Sequence, residues 1–152
     1  MKRALPHTHM LVSLKDVARP GLRSRRLLAS HLDSLGLAAG TGTPTGRRTE
    51  EALLIASELV GNACRHANGP TRLVSQWNPR TRHLTLSVSD SSSQVPRMRA
   101  AQERGADGGY GILLIELLSE RWAAVPDVEG GKTVSVTVDF PPPAPTPPRN
   151  AP

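Results

Sequence analysis

The sequence predicts an α/β (α+β) two-layer sandwich, an antiparallel or mixed sheet with helices packed on one face. Three observations lead there. A long amphipathic stretch, helical in period, ends at Ala67. Two runs, His83–Asp90 and Thr133–Phe140, alternate with the period of a half-buried strand. Between them Ile112–Leu118 is almost wholly apolar, as a buried helix would be. Helices and strands that are each apolar on one side bury those sides against one another. A chain of 152 residues is long enough for one such domain.

Residues 1–9 carry no pattern and read as a flexible N-terminus, so the domain is expected over 10–140. Met10–Leu14 reads as a short edge strand. Pro20 suits the first turn of a helix, where a missing N–H does no harm. Leu27, Leu28, Leu32 and Leu35 give that helix its stripe, and Gly36 stops it. Residues 38–46 read as a Gly- and Thr-rich loop. Thr49 is the expected cap of the central helix, with Glu50 and Glu51 near its positive end.

On a helical wheel the central helix splits into two faces. Leu53, Ala56, Leu59, Val60, Ala63, Cys64 and Ala67 share one; Ser57, Glu58, Gly61, Asn62, Arg65 and His66 share the other. Asn68-Gly69-Pro70 turns the chain, and Arg72–Trp77 pairs as a hairpin with the run from His83. Leu84, Leu86 and Val88 lie on one side of that second strand, and the period of two puts Asp90 there too. A carboxylate at the buried end of a strand needs a partner; the plainer reading is a strand-end turn aspartate.

Residues 91–109 show no apolar periodicity and end among Gly105, Gly108 and Gly109, which suits a lid. A helix is expected from Gly111 to Trp122, a turn over 125–130, and a last strand from Thr133 to Phe140 with Val134, Val136 and Val138 on one side. The proline-rich tail 141–152 cannot build a core.

Composition narrows the function. No run of about 18 apolar residues is present, so no membrane span is expected, and the N-terminus lacks the apolar core of a secretion signal. One cysteine, Cys64, cannot form an internal disulfide, which suits the cytoplasm; on its face it reads as a small core residue. The net charge of +6 gathers partly at Arg19, Arg23, Arg25, Arg26, Arg47 and Arg48. Aromatic stacking platforms and a recognition helix are both missing, so the charge reads as a partner-binding or solubility feature before a nucleic-acid site. The five histidines show no metal spacing.

The chemistry concentrates on Glu58 and Asn62, one helical turn apart. A carboxylate there can take a proton, and a carboxamide oxygen can ligate a hard cation such as magnesium. A plain amphipathic helix with a wet polar face would show the same two residues. The glycines before Gly111 let a backbone approach a ligand closely, and the helix they open offers free N–H groups to phosphate oxygens.

Taken in order, Glu58-Leu59-Val60-x-Asn62-Ala63-x-x-His66-Ala67, Asp90, Gly109-x-Gly111-Ile112 and Gly131-Lys132-Thr133-Val134 resemble the nucleotide-binding core of the GHKL (Bergerat-fold) ATPases. Within that superfamily the chain resembles the short bacterial anti-sigma-factor serine/threonine kinases. The resemblance implies ATP and Mg2+ as cofactors, with Asn62 ligating the magnesium. It implies Glu58 as general base toward a serine or threonine hydroxyl, and Asp90 as acceptor for the adenine amino group. Gly109, Gly111 and Ile112 would form the phosphate box. Arg65 and His66 would lie near the phosphates, and the Thr133 hydroxyl would support the adenine pocket. The implied partners are a sigma factor and a STAS-type anti-sigma-factor antagonist, in the cytoplasm; homodimerisation, common in the family, stays open. A phospho-acceptor histidine domain is missing, which argues against a two-component sensor. The chain departs from the pattern after Asp90, where Ser91-Ser92-Ser93-Gln94-Val95-Pro96 replaces a glycine-rich turn. That departure keeps an alternative in view: an ATP- or partner-binding module of the same fold with weak or no catalysis.

Overall fold

The computed structural model describes residues 8–93, 111–145 and 148. The elements run β1 (His9–Ser13), α1 (Pro20–Ser34), α2 (Pro44–His66), β2 (Pro70–Asn78), β3 (His83–Asp90), α3 (Gly111–Leu118), β4 (Arg121–Pro126) and β5 (Lys132–Asp139). The five strands form one sheet in the order β1-β2-β3-β5-β4. Every neighbouring pair is antiparallel. The helices pack on one face, so the expected α+β sandwich is the fold.

The core lies between the layers. Leu28 and Leu32 of α1, Leu53, Ala56, Leu59 and Val60 of α2, and Ile112 and Ile115 of α3 meet Leu84, Leu86 and Val88 of β3 and Val134, Val136 and Val138 of β5. Burying each large aliphatic side chain contributes roughly 1.5–3 kcal/mol. The opposite face of the sheet is polar: Thr85 faces Thr137, Ser87 faces Ser135 and Ser89 faces Thr133 across the β3–β5 pair. Period-two alternation therefore separates a greasy face from a hydroxyl face on the same strands.

Five local expectations are corrected. Helix α2 begins at Pro44, inside the stretch read as loop, because Thr43 caps it: the Thr43 Oγ1 accepts the Gly46 N–H at 3.0 Å. Thr49 is no cap; it is buried inside the helix, and its hydroxyl donates to the carbonyls of Leu37 and Thr45. Helix α3 stops at Leu118 rather than Trp122, because the next residues join the sheet: the Glu120 N–H donates to the Thr137 carbonyl at 2.9 Å. That pairing opens β4, a strand the sequence reading missed, and confines the following turn to the residues after Pro126. Cys64 is exposed rather than in the core, being at the rim of the apolar stripe in the last turns of α2. At the chain ends, residues 1–7 lie outside the described residues, His9 pairs with Gln76, and the Arg82 Nε donates to the Pro141 carbonyl at 2.6 Å.

Candidate functional site

The site is built where α2, the start of α3 and the ends of β3 and β5 meet. The apolar stripe of α2 faces the sheet, which leaves Glu58 and Asn62 on its flank, both half-buried. Gly111 opens α3 directly against them. A methyl group added to Gly111 would lie 2.6 Å from the Glu58 Oε2 and 3.8 Å from the Asn62 Oδ1. With Glu58 in this position, only a residue without a side chain lets the helix start so close to its carboxylate. Ile112, the next residue, turns inward and is buried in the core, which anchors the helix start.

Arg65 folds back along α2 over Gly61. Its Nη2 donates to the Asn62 Oδ1 at 2.9 Å and lies 3.9 Å from the Glu58 Oε2. Half-exposed charges at that separation add little stability, but the guanidinium takes one of the two acceptor positions of the carboxamide oxygen. His66 is exposed one residue on. So a carboxylate, a carboxamide oxygen, a cation and a helix start converge on one small surface.

The second part of the site is the end of β3. Asp90 is buried on the same face as Leu84, Leu86 and Val88, as its parity requires. Its partner is Lys132, which sits opposite it in the β3–β5 register. The Lys132 Nζ lies 3.0 Å from both Asp90 carboxylate oxygens. Gly131 makes the approach possible: its φ is +85°, and a methyl group on it would lie 2.2 Å from the Asp90 carbonyl oxygen. The strand end is tied to the end of α2, since the Ser91 hydroxyl donates to the Ala67 carbonyl at 3.3 Å.

Sequence reasoning did not single out Lys132. The signal was there: Lys132 has the parity of Val134, Val136 and Val138, so it had to point inward, and so did Asp90. Thr133 has the opposite parity. Its hydroxyl lies on the polar face, bonded to the Ser89 hydroxyl at 2.8 Å and the Asp127 carboxylate at 3.0 Å. It therefore does not share the face of the Asp90 carboxylate; Lys132 does. Gly109 and residues 94–109 of the expected lid lie outside the described residues.

An open groove of about 620 Å3 beside the end of β3 is lined by Arg72, Ser89, Asp90, Asp127 and Glu129, among others. Arg72 donates to the Ser89 hydroxyl within it, at 3.3 Å. The groove follows the hydroxyl face, and neither Glu58 nor Asn62 lines it.

Among the described residues no cluster of three or more His, Cys, Asp or Glu side chains could hold a metal ion. Magnesium needs no such cage, because it keeps waters and substrate phosphates beside one or two protein oxygens. The second acceptor position of the Asn62 oxygen and the adjacent Glu58 carboxylate are hard donors of that kind, so the residues fit the ion. Also among the described residues, no helix is long and apolar enough to cross a membrane.

Compared with known proteins, residues 22–138 match the family model described as a histidine kinase-like ATPase domain. No curated protein matches the chain. The matched span covers α2, α3 and β2 to β4 and nearly all of α1 and β5, and so every site residue described above.

Proposed function

The chain belongs to the histidine kinase-like ATPase domain family, and from that membership we propose an ATP-binding anti-sigma regulator that phosphorylates an anti-sigma-factor antagonist on serine or threonine. One observation carries the proposal. Gly111 stands against Glu58 and Asn62 with no room for a side chain between them, so the three motif residues form one surface.

Asn62 would hold magnesium through its carboxamide oxygen. When bound, the ion neutralises charge on the phosphate oxygens, which phosphoryl transfer requires. The N-terminal amides of α3 have no partners within the helix and suit phosphate oxygens. Glu58 would accept the proton of an incoming hydroxyl as general base. Asp90 offers a carboxylate oxygen to the adenine amino group. The exposed Arg19, Arg23 and Arg26 at and on α1 suit an acidic protein partner, for which a sigma factor in the cytoplasm is the reading favoured here.

A second reading is favoured by Arg65. Its guanidinium already engages the Asn62 oxygen at 2.9 Å and competes for the place of a metal ion. Under that reading the chain binds nucleotide or partner without turnover.

Incubation with magnesium ATP and STAS-type antagonist proteins tests the proposal. The native chain should transfer phosphate, and the Glu58→Ala chain should lose that transfer by about a hundredfold or more while still binding ATP. Labelling by neither chain would remove the kinase and leave the binding module; equal labelling by both would remove Glu58 as the base.

A further inference from the structure

Asp90 and Lys132 form an almost closed ion pair, the residues being 6% and 5% exposed. Their hydrogen bonds can be counted. The Lys132 Nζ donates to Asp90 Oδ1 at 3.0 Å and to the Ser92 carbonyl at 3.3 Å, and it stands 3.0 Å from Asp90 Oδ2 as an ion pair. The ammonium is thus directed at Asp90 and Ser92. The two carboxylate oxygens differ. Oδ1 also accepts the Ser92 N–H at 2.9 Å, whereas Oδ2 takes only Lys132 among the described residues. Each carboxylate oxygen can accept about two bonds, so Oδ2 keeps an open acceptor position, with Lys132 as its only neighbouring donor among the described residues.

The same bonds account for the turn after Asp90. Both backbone groups of Ser92 are held, the N–H by Asp90 and the carbonyl by Lys132. Side-chain bonds here fix a chain direction that glycines would otherwise permit.

Resting on the ATP-binding reading above, we infer that Lys132 is the positioning residue for base recognition. It fixes the Asp90 carboxylate so that Oδ2 alone faces the ligand as an acceptor, selecting a purine with an exocyclic 6-amino group. Lys132 itself touches no base. A 6-oxo purine presents an acceptor to that oxygen and is rejected.

The test compares Mg-ATP with Mg-purine riboside triphosphate, which lacks the 6-amino group, by calorimetry on the full chain. The native protein should prefer ATP by about tenfold or more, the worth of a hydrogen bond to a charged group. Lys132→Met should bring that preference close to unity while affinity for the analogue stays within about threefold. A purely structural lysine would lower both affinities together. Should Lys132→Met fail to fold, Lys132→Arg decides. It keeps the charge, but its longer planar fork cannot hold the carboxylate where the ammonium does, so the preference should fall in a folded protein. An undiminished preference in the folded variant overturns the inference. Equal binding of both nucleotides by the native chain overturns it too and leaves ATP binding standing; binding of neither overturns the ATP-binding reading itself.

Discussion

Gly111 stands so close to Glu58 that a single added methyl group would meet the carboxylate at 2.6 Å. The contact joins the first residue of one helix to the flank of another, and it sets where the carboxylate can lie. What the methyl would meet is the far end of a flexible side chain, which can swing away.

Gly111→Ala should therefore separate stability from activity. Alanine favours the helix by about 1 kcal/mol over glycine, which offsets the cost of moving Glu58, so urea unfolding should shift by less than about 1 kcal/mol. Phosphotransfer should fall by about a hundredfold, since a catalytic group displaced by an ångström costs that much. A loss of stability with full activity per folded molecule would contradict this.

Gly131→Ala should behave in the opposite way. Its φ of +85° disfavours any side chain, and the obstruction is the Asp90 carbonyl, which belongs to a paired strand and cannot swing aside. Unfolding free energy should drop by at least about 2 kcal/mol. Gly36→Ala is the control: its φ is +79° but nothing lies within 4 Å, so the loss there should be only about 1 kcal/mol. Similar losses in both would mean that the approach at Gly131 contributes nothing.

Asp90→Ala should leave the Lys132 ammonium buried without its partner, which costs about 3–5 kcal/mol. The double variant Asp90→Leu, Lys132→Met removes both charges and should recover most of that loss. Chemical denaturation of the three chains checks it; a double variant as unstable as Asp90→Ala would show that the ion pair is not the source.

Much of this was legible in the sequence, and the exceptions have physical reasons. Asp90 was placed on the buried side by parity alone, and it is there. Lys132 followed from the same parity on β5, but a lysine at a strand start usually reaches solvent, and only the pairing of the two strands shows that it cannot. Helix α3 was drawn too long because Ile112–Leu118 is apolar all round and has no period to mark its end. Its stop comes from Glu120 joining Thr137, a long-range bond with no local trace. Strand β4 was missed for the same reason, as an edge strand of six residues whose inward positions are Trp122 and Ala124. The start of α2 was masked by Gly46, which reads as loop but is held by the Thr43 cap. The asparagine motif was legible in full, because Glu58, Asn62 and the apolar stripe opposite them lie on one continuous helix. The hold of Arg65 on Asn62 was not, since three residues of helical spacing permit that bond without requiring it.

Calorimetric titration of ATP with and without magnesium, on the native chain and on Asn62→Ala, tests the account most directly. The native chain should bind ATP saturably and at least about tenfold more tightly with magnesium present. Asn62→Ala should keep its fold and lose that magnesium-dependent gain. Equal affinity with and without magnesium in the native chain, or a magnesium gain unchanged by Asn62→Ala, would contradict it.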